Sequence, residues 1–222
     1  MLDNRKNNIK QWLRLFLVIF CAFFVGIFAM MIMEGYTFTI DRKFISGTYR
    51  IRQEWLTTIV KIFTNLCSVA AIASIVLFII IFVKDWTYKI FAMFNIGIAA
   101  VVNIIVKHIV KRARPFVETL IMERGYSFPS GHAMMAIAIF GFLAYIIYGS
   151  IKYRPIKLMM SGICVLIGML VAISRVYLGV HYFTDVLCGA MLGLAVLTIS
   201  IMGHKYLITL LEKKKRRKKS LG

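Results

Sequence analysis

WLRLFLVIFCAFFVGIFAMMIM, residues 12–33, decides the fold. A helix drawn through it is apolar all round apart from Arg14. It is also long enough to cross the roughly 30 Å hydrocarbon core of a bilayer. Arg5, Lys6 and Lys10 precede it, as in a secretory signal. The apolar run is longer than a usual signal core, however, and no small-x-small cleavage site follows, so it reads as an uncleaved membrane helix over about 13–33.

Working outward, five further stretches have lipid-crossing length: about 57–83, 88–106, 133–149, 157–173 and 183–203. The whole chain is 60% hydrophobic and only 17% charged, with a mean hydropathy of +0.81. Soluble cores are rarely so apolar. The expectation is an all-α, six-helix membrane bundle forming one domain over 1–222, since no connection is long enough for a separate soluble domain. Trp12, Trp55 and Trp86 sit near span ends, where aromatic anchors belong.

Composition excludes several classes. Cys21, Cys67, Cys164 and Cys188 lie in apolar stretches without a CxxC or Cys/His pattern, so they read as small buried hydrophobes. A net charge of +19 raises the question of nucleic acid. Its placement answers it: seven consecutive basic residues, Lys213 to Lys219, follow the last span within a tail, 204–222. That tail is expected against anionic lipid, at about 1 kcal/mol per charge, and no nucleic-acid partner is expected.

Six spans put both termini on one side. Lys and Arg on that side number four in the N-terminal tail, two in 84–89, three in 150–157 and eight after 203. The opposite side has four in 34–55, five in 107–131 and Arg175. The positive-inside rule makes the termini cytoplasmic and leaves the outer face with more charge than ordinary loops carry.

That surplus falls in three clusters: KHIVKRARP (107–115), SFPSGH (127–132) and SRVYLGVHYFTDV (174–186). Ionisable groups near membrane depth cost about 2.5 kcal/mol or more unless they find partners, so each is a functional candidate. All three clusters fall at the outer ends of the third to sixth spans. Lys107, Arg114 and Arg175, with Ser130 and the backbone of Gly131 at a helix start, match a tetrahedral dianion, and phosphate fits best. If His181 lies in the first turn of the last helix, Asp185 at i+4 can hold one ring nitrogen and leave the other to attack phosphorus. His132, opening another helix on the same side, suits a general acid. A metal is not expected, because the cations would repel a divalent ion.

Other residues read more blandly. His108 is expected to point away from the site, and His204 to lie at the cytoplasmic interface. Asn103 orients Lys107 or makes a packing hydrogen bond. Glu118 and Glu123 are expected to pair with Lys111, Arg112 or Arg124 and so to shape the loop. Pro115 and Pro129 bracket and stiffen it. The loop 34–56, with Asp41, Arg42, Lys43, Arg50 and Arg52, either covers the pocket or lies on anionic lipid.

The three clusters resemble the signature motifs of the type 2 phosphatidic acid phosphatase (PAP2) superfamily: K-x6-R-P, P-S-G-H and S-R-x5-H-x3-D, all complete. The resemblance implies a helical bundle and a cofactor-free, metal-independent phosphohydrolase working through a phosphohistidine. It implies that Lys107, Arg114, Arg175, Ser130 and Gly131 hold the phosphate. It further implies that His132 is the acid, His181 the nucleophile and Asp185 its orienting partner. The soluble vanadium haloperoxidases of the superfamily lack such spans. The chain looks instead like bacterial cell-membrane enzymes acting on undecaprenyl diphosphate, phosphatidylglycerol phosphate or phosphatidate; undecaprenyl diphosphate suits an outward-facing site. A lipid-phosphate transporter is the alternative of another class.

Overall fold

The computed structural model describes residues 2–36 and 38–219, and side chains from residue 8 onward. Arg5 and Lys6 side chains and the end of the tail, 220–222, therefore lie outside the described residues. The chain is all-helical: α1 (Leu2–Met33), α2 (Thr39–Arg50), α3 (Glu54–Asn65), α4 (Val69–Phe82), α5 (Trp86–Val110), α6 (Gly131–Ser150), α7 (Arg154–Tyr177) and α8 (Phe183–Lys219). Among the described residues α1, α5, α6, α7 and α8 are each long and apolar enough to cross a membrane, and α3 with α4 meets the same length and hydropathy only when the bent pair is taken together.

Several expectations change. The stretch 57–83 is not one rod: α3 and α4 meet at a 51° bend. The bend lies at Leu66–Ser68, where the Ser68 hydroxyl accepts the Ala71 N–H at 3.2 Å and starts a new helix. The loop 34–56 is largely helical, because it contains α2. The basic tail continues α8 unbroken to Lys219, since nothing in Lys205–Lys219 breaks a helix.

α6 and α8 form the interior, while α1, α5 and α7 turn side chains such as Phe16, Phe23, Ile104 and Ile173 outward. The interior pair approaches closely because its contact is made of small residues. A Cβ on Gly189 would lie 2.5 Å from the Ser130 carbonyl oxygen, and one on Gly193 would lie 2.5 Å from that of Met134. Backbone cannot yield to such a clash. Gly193→Ala is therefore expected to destabilise the bundle by about 1–3 kcal/mol, read as a lower unfolding midpoint in detergent. An unchanged midpoint would contradict this packing.

Buried polar ties complete the framework. Asn95 donates to Ala138 O at 2.8 Å and accepts from Ser200 at 3.2 Å, joining α5, α6 and α8 in mid-bundle. His204 is packed between helices. It is fully buried, with Nε2 2.9 Å from Thr87 Oγ1, Nδ1 2.8 Å from the Tyr145 hydroxyl, and the Tyr88 ring stacked on it. Cys164 is half-buried, unlike the other three cysteines.

Candidate active site

The end of α5, the start of α6, the end of α7 and the start of α8 lie at one end of the bundle. Lys107 occupies the last turn of α5, which stops at Lys111 in a left-handed conformation, φ 50°. The chain then loops to Ser130, the N-cap of α6, whose hydroxyl accepts the Ala133 N–H at 3.5 Å. Next comes Gly131, where a Cβ would fall 3.1 Å from Asn103 Oδ1. Asn103 itself donates to Pro129 O at 3.4 Å, so it props this turn rather than Lys107. Arg175 lies in the last turn of α7 and Asp185 in the first turn of α8.

His181 precedes α8, in the α7–α8 turn, instead of opening the helix. That turn needs Gly179 at φ +76°, where a Cβ would lie 3.0 Å from Arg52 Nη2 and 3.2 Å from Glu118 O. Asp185 is fully buried beside the ring. The direct His181 Nδ1–Asp185 Oδ2 separation is 3.6 Å, beyond a hydrogen bond. Ser127 closes the gap: its hydroxyl donates to Asp185 Oδ2 and leaves its oxygen 3.4 Å from Nδ1 to accept the ring N–H. Asp185 also accepts Tyr182 N–H at 3.0 Å and Arg112 Nη1–H at 2.5 Å. The lone pair of His181 is then on Nε2, where it accepts Arg114 Nη1–H at 3.3 Å.

The cations surround this ring. Arg114 donates to Val180 O at 2.8 Å, Arg124 O at 3.0 Å and Gly125 O at 3.1 Å. Arg175, fully buried, donates to Thr64 Oγ1 at 2.7 Å and to Glu123 Oε1, while its Nε has no hydrogen-bond partner. Lys107 donates to Tyr126 O at 2.9 Å and lies within electrostatic reach of Arg114, Glu123, Asp185 and Arg175. His132 is in the same reach of Arg175, Glu123, His181 and Lys107. All eight candidate residues from the sequence thus gather at one end of the fold.

Several neighbours were not legible. Glu123 pairs with Arg175 and, at 3.6 Å, with Arg114, not with the loop cations expected for it. It thus ties together two of the cations singled out in the sequence. Glu118 contributes its carbonyl, which accepts from Arg52 at 3.1 Å and Tyr49 at 3.2 Å. Arg112 reaches Asp41 and Asp185 instead of Glu118 or Glu123. Ser127, in the SFPSGH cluster, reaches Asp185 across 58 residues. His108 turns back to Ile104 O, as expected.

Two cavities flank α2. One of about 470 Å³ lies between Arg42, Ser46, Tyr49, Phe116 and Tyr182; another of about 300 Å³ lies against Asp41, Arg112 and Tyr182. Among the described residues, no cluster of three or more His, Cys, Asp or Glu is arranged to hold a metal ion.

Burial pushes the His181 ring down to about 4; Arg175 and Arg114 push the same way, and Asp185 only partly opposes them. The charged form is disfavoured, so the ring is neutral above about pH 4 and loses its lone pair as pH falls through that value. In ¹⁵N-histidine spectra, the signal absent from His181→Ala is expected to titrate near pH 4. A midpoint near 6.5 would show a solvated ring.

An all-helical membrane bundle with a neutral imidazole among three cations defines a membrane protein built to handle an anion at one face. Residues 88–208 match the PAP2 superfamily, and the chain belongs to it, among the membrane phosphatases. It is 33% identical over 162 residues to phosphatidylglycerophosphatase B of Bacillus subtilis, covering 69% of this chain and 78% of that protein. The crystal structure of a transmembrane PAP2-type phosphatidylglycerolphosphate phosphatase from Bacillus subtilis superimposes with a TM-score of 0.71 and 28% identity, over 82% of this chain and 94% of that one. LpxE of Aquifex aeolicus superimposes with a TM-score of 0.64 and 26% identity, over 74% and 96% respectively.

Proposed function

We propose that this PAP2-type membrane lipid phosphatase removes the terminal phosphate of a phosphatidylglycerol phosphate-like lipid at the extracytoplasmic face, without a metal ion. The observation carrying this reading is the neutral His181 ring, backed by Ser127 and Asp185 and set among Lys107, Arg114 and Arg175. The similarity to phosphatidylglycerophosphatase B favours this lipid over the undecaprenyl diphosphate preferred from sequence.

In this reading Lys107, Arg114 and Arg175 hold phosphate oxygens, joined by Ser130 and the Gly131 N–H at the start of α6. Arg114 moves from His181 Nε2 onto the phosphate, freeing the lone pair. Nε2 then forms a bond to phosphorus as the ester P–O bond breaks, and His132, its imidazolium form favoured by the bound phosphate dianion, gives its proton to the departing lipid oxygen. Asp185, through Ser127, stabilises the positive charge gained by the ring. Water next attacks phosphorus, His132 takes its proton, and the P–N bond breaks to release phosphate. Fixed cations provide the main stabilisation of phosphoryl charge, because they need no reorganisation during the step.

Orientation rests on the Lys and Arg distribution, which favours cytoplasmic termini. The basic end of α8 would then lie against anionic lipid of the inner leaflet. A second reading, undecaprenyl diphosphate, is favoured by the outward site, which suits recycling of a lipid carrier.

The test is phosphate release by detergent-solubilised protein from phosphatidylglycerol phosphate, phosphatidate and undecaprenyl diphosphate, in excess EDTA. Release is expected to persist on chelation and to be fastest for the first lipid. Loss in EDTA restored by a divalent ion would overturn the metal-free reading. Faster release from undecaprenyl diphosphate would favour the second substrate, and flux across vesicles without release would favour a transporter.

A further inference from the structure

Asp41 lies in α2, outside the residues 88–208 that match the superfamily. It is only 2% exposed, and a buried carboxylate requires compensation. Its oxygens accept from Thr184 N–H at 2.9 Å, the Thr184 hydroxyl at 2.8 Å and Arg112 Nη2–H at 2.9 Å. The other arm of the same guanidinium donates to Asp185 Oδ1 at 2.5 Å and to Thr184 Oγ1 at 2.8 Å. Arg112 is therefore a planar fork clamped between two carboxylates, one from α2 and one behind His181. Its flat face lies 4.0 Å from the Tyr182 ring centre, and Phe44 of α2 stacks on Phe183 at 4.0 Å, which holds the fork and α2 in place.

This arrangement has consequences for the reacting ring. Arg112 occupies Asp185 Oδ1 and leaves Oδ2 for Ser127 and the Tyr182 N–H, on the side of His181. A lone guanidinium there would draw the Asp185 charge away from the imidazole. Asp41 shares that positive charge, so Asp185 keeps more of its capacity to stabilise the ring.

We propose that Asp41 and Arg112 are positioning residues for the His181–Asp185 pair, so that α2 is a working part of the site rather than a lid or a lipid anchor. The inference rests on the phosphatase reading above. The loop that carried two open roles in the sequence acquires a third through a side chain buried 144 residues before Asp185 in the chain.

The experiment compares wild type, Asp41→Asn, Arg112→Lys and the double variant in detergent, using phosphatidylglycerol phosphate. It reads kcat, KM, and the His181 tautomer from ¹⁵N-histidine spectra at pH 7. Asp41→Asn keeps the shape and removes the charge. Arg112→Lys keeps a cation but loses the planar fork, so it bridges the two carboxylates poorly. Each single change is expected to lower kcat by about 10–100-fold with KM within about 2-fold, because phosphate-binding groups are untouched. The double variant is expected within about 3-fold of the slower single one, since both changes break one clamp. The Nδ1–H tautomer of His181 is expected to lose population in every variant.

Single variants with kcat within 2-fold of wild type and an unchanged tautomer would overturn the proposal. So would multiplicative losses with an unchanged tautomer, which mark separate structural damage. If Asp41→Asn is not recovered folded, Arg112→Lys carries the same decision. Absence of phosphate release by wild type would sink the phosphatase reading instead, while the tautomer shift would still judge the clamp.

Discussion

His181→Ala protein is expected to release phosphate at least about 10⁴-fold more slowly than wild type, with unchanged thermal stability or a gain. Loss of a nucleophile in a tightly organised triad costs about that much or more in kcat. The remaining cradle can still bind the lipid, so affinity should survive even as turnover disappears. Stability is argued separately. The ring is buried and neutral, and its hydrogen bonds are one weak 3.4 Å link to Ser127 and one at 3.3 Å from Arg114, with Asp185 Oδ2 3.6 Å away. Removing it leaves Ser127 still donating to Asp185 and Arg114 still bound to three carbonyls. Phosphate release at more than a tenth of the wild-type rate, from protein with an intact unfolding transition, would refute the nucleophile assignment.

The second large effect concerns Arg175. Arg175→Ala is expected to reduce kcat/KM by about 10²–10³-fold, the loss found when one preorganised charge-stabilising donor is removed. It should also lower the unfolding midpoint. Arg175 is fully buried and ties Thr64, near the bend between α3 and α4, to Glu123 of the loop. Its removal takes from the Glu123 carboxylate its nearer ion-pair partner and leaves Arg114 at 3.6 Å. Added guanidinium is expected to recover part of the activity by occupying the vacated site. Activity within 3-fold of wild type would show that this arginine serves α3 packing and not phosphate.

Much of this site can be read from residue order because of where charge is costly. Lys107, Arg114, Arg175, His132, His181 and Asp185 stand out against apolar sequence, and alternation of spans brings them to one end. The same logic gave no access to their partners. Arg112 is one of five basic residues between Lys107 and Arg124, and its two carboxylates lie 71 and 73 residues away. Ser127 meets Asp185 across 58 residues, and Glu123 meets Arg175 across 52. Loop cations nearer in sequence looked like better partners for Glu123, but the fold points its side chain inward to the cradle.

The helices themselves divide in the same manner. Hydropathy and length specify the crossings at α1 and α5 through α8, since a backbone in lipid must satisfy its own hydrogen bonds whatever its neighbours. They do not reveal the 51° bend between α3 and α4, close to where Thr64 meets Arg175, or the burial of Asp41 within α2. Chain order carries the energy of moving each residue between water and lipid, and that suffices for spans and for the costly charges among them. Which charge neutralises which depends on distances of a few ångströms between remote segments, and only packing of the helices sets those distances.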